Sequence, residues 1–407
     1  MSPALLIAAA LVPQAAAPPP QRGEPVALVG ATVVDGTDRP PISDAVVVIR
    51  DGRIEAVGRA ADVAVPRGAR RLDLTGHTII PGLVDLHVHL SAVPAVRPAP
   101  FGPDDLAAFL AAGVTSLRSA GDATPWIFEL QRDLAAGRRV GPRLVAVGPM
   151  FTAPGGHPAG TWLRGNPEAA AVFARQMTDP DSARAEVRRL VAAGAGAIKA
   201  VYDSGDARTP FGYLPRLDSV VLAAIVAEAR ARGVRSLVHW QNVRELPTIL
   251  AIGPDELEHV PVGPLPDSLV RAIADRRIAV TPTAAAFAGF LQPRVLDLLL
   301  ANVRRLAAAG VTLLVGSDAP LGPAFGGGVH AELELLVRAG LTPQRAIQAA
   351  TRDAARALGI ADLGTITPGQ RADLVALGAD PLAGIAGVRD VRLVLLDGGE
   401  VYRAPPR

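Results

Sequence analysis

Cysteine is absent from all 407 residues. That excludes a disulfide framework and any thiolate chemistry. Lysine is almost as scarce: of 41 basic side chains, every one except Lys199 is arginine. Neither sign of charge dominates, with 41 basic against 39 acidic residues and a formal net charge of +2. No lysine-rich or arginine-rich block marks a nucleic-acid partner, and the pI of 9.5 reflects only a small arginine margin. No apolar run approaches the ~20 residues of a membrane-spanning helix.

What is present is a large globular chain. It is 49% hydrophobic and carries 41 Gly and 37 Pro, a composition suited to many tight loops. Its length predicts two or more domains. The first residues, MSPALLIAAALVPQAAAPPP, hold a short apolar stretch from Ala4 to Val12, then Ala15-Ala16-Ala17 and prolines. This pattern predicts a signal peptide and leader over residues 1–24 and export to the periplasm or medium, although the positive n-region is missing. A disordered Ala/Pro leader on a cytoplasmic protein is the alternative.

From Pro25 to about Ile80 the chain reads as strands punctuated by Asp-Gly turns: VALVGATVVDG, DAVVVIRDGRIEAVG and RRLDLTGHTIIPG. The tail, GTITPGQRADLVALGAD and VRLVLLDGGEVYR, has the same texture. Residues 25–81 and 361–407 are therefore expected to build one small β unit, with residues 82–360 inserted between them. The insert alternates apolar runs with amphipathic stretches. Its candidate strands are LVDLHVHL, VTSLRSA, RLVAVG, AIKAVYD, RSLVHW, ELEHV, IAVTPT and TLLVGSDAP. Helical stretches such as Asp218–Arg232 and Arg294–Ala309 lie between them, with Asp218 and Thr124-Pro125 as start signals. Eight strands alternating with helices predict an α/β fold, a (β/α)8 TIM-like barrel.

In such barrels the C-terminal strand ends share one pocket. Four of the seven histidines fall at predicted strand ends: His87 and His89 on the first, His239 on the fifth and His259 on the sixth. Spacing of two puts His87 and His89 on one face. Lys199 ends the fourth strand and Asp318 the eighth. Each motif alone is ordinary; a single strand histidine is more often a satisfied core residue. Together they place four imidazoles, a carboxylate and an amine at one mouth, a set suited to a zinc-type ion. A buried, unpaired ammonium is costly, so Lys199 should be modified, paired or metal-bound. The alternative is a chance survivor snorkelling from a strand end. Arginine cannot stand in for an amine that must lose its proton.

At this point the chain resembles the amidohydrolase superfamily along almost its whole length, and in particular the imidazolonepropionase-like and Xaa-Pro-dipeptidase-like members. PGLVDLHVHL, GAIKAVYD, ELEHV and GSDAP resemble that family's signatures on strands 1, 4, 6 and 8, and ELELLVRAGLTPQRAIQAATRDAARALGI with LGTITPGQRADLVAL resembles its C-terminal signature. The resemblance implies a β-sandwich from both chain ends beside the barrel. It implies two divalent ions, zinc for choice: His87, His89 and Asp318 would bind one, His239 and His259 the other. Lys199, carbamylated by CO2, would bridge them. A hydroxide between the ions would then attack an amide, with Asp318 shuttling the proton.

Three further residues are substrate-contact candidates. Arg118 ends the second strand, Tyr202 follows Lys199, and His157 sits in the loop MFTAPGGHPAG, whose GGHP resembles a loop histidine of the dipeptidase-like members that approaches the reacting group. His157 is thus also a catalytic candidate. The bland readings are a rim salt bridge for Arg118, packing for Tyr202 and an idle loop residue for His157. His330 either gates the site or caps a helix, and His77 reads as structural. The leading functional expectation is hydrolysis of a dipeptide or N-acyl amino acid. Opening or deamination of a cyclic amide is the alternative, and a non-catalytic binding relative the remote one. The implied partner is a small-molecule substrate, with homo-oligomerisation left open.

Overall fold

Asp-Gly pairs set the hairpins that begin and end the chain. A computed structural model describes residues 24–92, 99–207, 211–322 and 324–406; the expected signal sequence and its cleavage site lie outside them. Strands Ile42–Arg50 and Arg53–Arg59 pair antiparallel across Asp51-Gly52, both at positive φ (49° and 77°). Val391–Leu396 and Gly399–Arg403 pair across Asp397-Gly398, again both positive (46° and 74°). Two left-handed residues in a two-residue loop are what the twist of a hairpin favours.

These hairpins belong to one eight-stranded sheet. The seam is Thr78–Pro81 against Leu374–Leu377, antiparallel, with Ile80 opposite Val375. Alternating residues serve two cores. Ile79, Leu374 and Ala376 pack with Val26, Leu28 and Leu393, whereas Ile80, Val375, Leu377 and Val394 pack into the large core of the inserted region.

The insert is built on parallel strands. Leu83–Val88, Val114–Ser119 and Arg143–Val145 form one sheet. Ala174–Gln176, Met150–Thr152, Ala197–Val201, Arg235–His239, Glu256–Glu258 and Ala279–Thr281 form a second, in that order. The class is α/β, with the parallel strands divided between two sheets. The expected eighth strand is not a regular strand. Its chain makes isolated bridges, Val280 to Leu313 and Val88 to Ala319, and Asp318 N–H donates to the His87 carbonyl at 2.7 Å. One residue interrupts the extended run and another permits a close approach to the first strand. Asp318 has φ 53°, and at Gly316 a Cβ would come within 2.6 Å of the His87 Cβ.

The helices follow their start signals unevenly. Asp218 caps Ser219–Ala231 by accepting from Val220 N–H at 2.8 Å. Pro293–Ala308 occupies the second expected stretch. Thr124 does not cap Trp126–Ala135; its hydroxyl accepts from Arg175 Nη2 at 3.0 Å instead.

Candidate metal centre

Strand alternation decides which side chains reach the interior. In Ala197–Val201, Ile198 and Ala200 join the large apolar core while Lys199 points away from it. In Leu83–Val88, Asp85 and His87 share a face, and His89 continues it one residue past the strand end. Asp85 fastens that end to the irregular eighth segment. Its carboxylate accepts from the Ser317 backbone N–H (2.9 Å) and hydroxyl (2.6 Å), and burial pushes its pKa up to about 6.

Three histidines are held from behind through Nδ1. His87 meets Glu258 Oε2 at 2.5 Å, His89 the Gly121 carbonyl at 2.8 Å, and His259 the Thr283 hydroxyl at 2.7 Å. Such partners fix ring orientation and tautomer. Asp318 Oδ1 lies 3.2 Å from His89 Nε2 and 3.5 Å from His87 Nε2. His87, His89 and Asp318 each offer a ligand atom within 4.8 Å of the others, and all three are buried. The His259 ring lies 4.9 Å from His87 and 4.5 Å from His239. His239 in turn stacks on His157 at 4.9 Å, and its Nε2 is 3.5 Å from Asp203 Oδ2. Backbone strain gathers here, since His259 (φ 74°) and Asp318 (φ 53°) are both left-handed.

The electrostatics suit a cation that is shared. Burial, then the neighbouring Lys199 charge, holds His87 well below the usual imidazole range. Burial alone would lower His89 too, but contact with Asp318 outweighs it and raises the pKa. Burial opposes ionisation of Asp318, yet His87 and His89 hold it below the usual carboxylate range. Burial lowers the Lys199 amine, with Glu258 and Asp318 pulling the other way. Lys199 Nζ is buried without a hydrogen-bond partner among the described residues. Unsatisfied buried polar atoms are rare and ask for a ligand. With imidazole nitrogens and a carboxylate beside it, these residues fit a divalent metal.

Two expected substrate contacts are corrected. Arg118 is not at the mouth. It is fully buried, donating to Glu256 (2.9 and 2.6 Å), to Glu258 Oε1 (3.0 Å) and to the Leu86 carbonyl (2.9 Å). A guanidinium engaged by two interior carboxylates is not available to a substrate. Tyr202 faces the helical layer with Ile198 and Ala200, and Arg216 lies over its ring at 4.3 Å. His157 does reach the centre, oriented by Thr161 Oγ1 (2.8 Å) and edge-on to Trp162. His330 bonds the Ala112 carbonyl at 2.8 Å, a structural contact, and the half-buried His77 bonds the Thr75 carbonyl at 3.2 Å.

Glu256, Glu258, Thr283, Asp203 and Asp85 are not singled out by the sequence. A signal existed for two of them: ELEHV places two carboxylates and an apolar residue in a short interior strand, and buried carboxylates need partners.

The Amidohydrolase family model matches residues 78–401, most of the chain. This chain belongs to the amidohydrolase family. An amidohydrolase of this kind is a metal-dependent hydrolase of carbon–nitrogen bonds. It is 29% identical to the imidazolonepropionase of Mycolicibacterium smegmatis over 400 residues, covering 89% of this chain and 92% of that one. It is 24% identical to the enamidase of Eubacterium barkeri over 390 residues, covering 91% and 93%. Among solved structures it is similar to a prolidase complexed with N-methylphosphonate-L-proline, with a TM-score of 0.78, 26% identity, and 93% of this chain and all of that one covered. The amidohydrolase thus shares its overall α/β fold with this structural neighbour.

Proposed function

We propose that this amidohydrolase hydrolyses the amide bond of a dipeptide or N-acyl amino acid. The observation that carries the reading is Lys199, a buried amine without a hydrogen-bond partner, among His87, His259 and Asp318. Burial favours the neutral Lys199 amine; its nitrogen would bond to the carbon of CO2 and lose one proton, leaving a carbamate anion able to bridge two ions. His87, His89 and Asp318 would hold one divalent ion, His239 and His259 the other, with zinc the best match to the donor set. When bound, the ions polarise the scissile carbonyl and acidify a water.

The chain's own residues supply the rest. Glu258, Thr283 and the Gly121 carbonyl fix three imidazoles so that their orientation need not be set during the reaction. Asp318 stays ionised and accepts the proton of the attacking water at a carboxylate oxygen, then passes it to the departing nitrogen. His157, neutral through burial and stacked on His239, would approach the reacting group. We read the two parallel sheets and the 312–319 segment as one (β/α)8 barrel beside a β-sandwich, and the leader as an export signal.

The likeness to imidazolonepropionase favours a second reading, hydrolysis of a cyclic amide. A library of dipeptides, N-acyl amino acids and cyclic amides, offered to zinc-loaded protein, separates the two. Turnover confined to cyclic amides would overturn the first reading. Metal analysis in bicarbonate should give close to two ions per chain; one at saturation would sink the binuclear assignment.

A further inference from the structure

Beside the centre lies an open pocket of about 530 Å3, lined by Ser204, Tyr213, Arg216, Asn242, Arg244 and Glu245. It sits on the loops that follow the strands Ala197–Val201 and Arg235–His239. Its walls continue directly from centre residues. Ser204 follows Asp203, whose Oδ2 is 3.5 Å from His239 Nε2, and Asn242 lies three residues past His239. Asn242 Nδ2 donates to Ser204 Oγ at 3.3 Å, tying the two loops together.

The charges in this pocket do not cancel. Glu245 is buried; its Oε1 accepts from the Ser204 backbone N–H at 3.1 Å and lies 3.4 Å from Arg216 Nη1. Arg216 is thereby paired, and its guanidinium also rests over Tyr202. Arg244 is different. It is exposed, and its side chain makes no ion pair or hydrogen bond with any described residue. Its backbone is nevertheless fixed, because it lies in the 3-10 turn Val243–Glu245, where Asn242 Oδ1 accepts from Arg244 N–H at 3.1 Å. The lining thus offers one uncompensated guanidinium, an amide and a phenol to whatever enters. Planar paired donors on a fixed stem suit a carboxylate.

We propose that this pocket is the subsite for a carboxylate on the substrate and that Arg244 holds it. The proposal rests on the amide-hydrolysis reading for its substrate, and it replaces Arg118 as the carboxylate partner. A dipeptide or N-acyl amino acid carries such a carboxylate on its leaving group, a few bonds from the scissile amide.

The test uses probes that cannot be hydrolysed: methanesulfonyl derivatives of glycine, leucine and phenylalanine, each as the free acid and as the N-methylamide. Binding to metal-loaded full-length protein is measured by calorimetry. The free acids should bind about tenfold or more tighter than the amides, the scale of one charge-assisted hydrogen bond. That ratio should fall to about one in Arg244→Met and be partly kept in Arg244→Lys. An unchanged ratio in Arg244→Met overturns the proposal. So does equal binding of acids and amides, no binding of any probe, or displacement of the acids by inorganic phosphate at equal affinity. Turnover of the substrate library is read separately. Acid-selective binding without turnover of any dipeptide or N-acyl amino acid leaves the subsite standing and sinks the substrate reading. Turnover without acid preference does the reverse.

Discussion

Lys199 carries the sharpest prediction at the scale of single residues. If it bridges two ions as a carbamate, Lys199→Ala should lower bound metal from two ions per chain toward one and remove most turnover. Short carboxylic acids should restore part of both. Lys199→Arg should be as damaging and should resist rescue, since a guanidinium fills the space without forming a carbamate. Metal content by elemental analysis, before and after adding the acid, reads the outcome. Arg118 makes the opposite kind of prediction. Because it compensates Glu256 and Glu258 inside the structure, Arg118→Met should cost about 3–5 kcal/mol of stability. Any activity left should fall equally for acid and ester substrates. Denaturant unfolding of Arg118→Met beside Arg118→Met/Glu256→Gln checks this: removing one stranded carboxylate should recover part of the loss. His87, His89 and Asp318, which the structure brings together, are legible because they sit at or near strand ends, and strand ends are visible as the limits of apolar runs. Their supports are not. The Arg118–Glu256 contact joins residues 138 apart in the chain, and no local pattern announces a partner that distant.

At the scale of elements, the helix Gly327–Arg338 reaches the centre through one side chain. Glu332 is fully buried and accepts from Ala285 N–H at 2.7 Å, anchoring the short helix Ala284–Ala288. That helix follows Thr283, which holds His259. Burial, only partly offset by the bonds from Ala285 and Ala284, pushes the Glu332 pKa from 4.5 up to about 8. Between those values the folded chain keeps a proton that the unfolded chain has lost. Stability from this group is therefore present below pH 4.5 and is lost as pH rises toward 8. Glu332→Gln cannot ionise, so the variant's Tm minus the wild type's should rise between about pH 5 and about pH 8. A difference flat across that window counts against the assignment. Reading the difference removes Asp85 and Asp373, both near 6 through burial, which add slopes of the same sign to both proteins. Regular elements were mostly legible: the cap at Asp218 and the Asp-Gly hairpins announce themselves locally. The 312–319 segment reads as a regular strand because its apolar run is genuine, while the left-handed Asp318 and the close approach at Gly316 are set by its neighbours.

For the whole molecule, the ions should act as a clamp between segments far apart in the chain. A ligand that binds only the folded state raises stability in proportion to the logarithm of its concentration over Kd. Dialysis against a chelator should thus lower Tm, and zinc with bicarbonate should restore it; an unchanged Tm in protein shown to be metal-free would remove this clamp. The terminal sheet is a second long-range closure, and it has a consequence for synthesis. Thr78–Pro81 finds its partner Leu374–Leu377 only after roughly 290 more residues have been made, a wait of roughly 15 to 60 s on a ribosome adding about 5–20 residues per second. Throughout that interval the nascent chain presents an open strand edge, the kind of surface through which neighbouring chains aggregate. The growing polypeptide carries that edge until Leu374–Leu377 has emerged to cover it, so slowing its translation should raise the aggregated fraction.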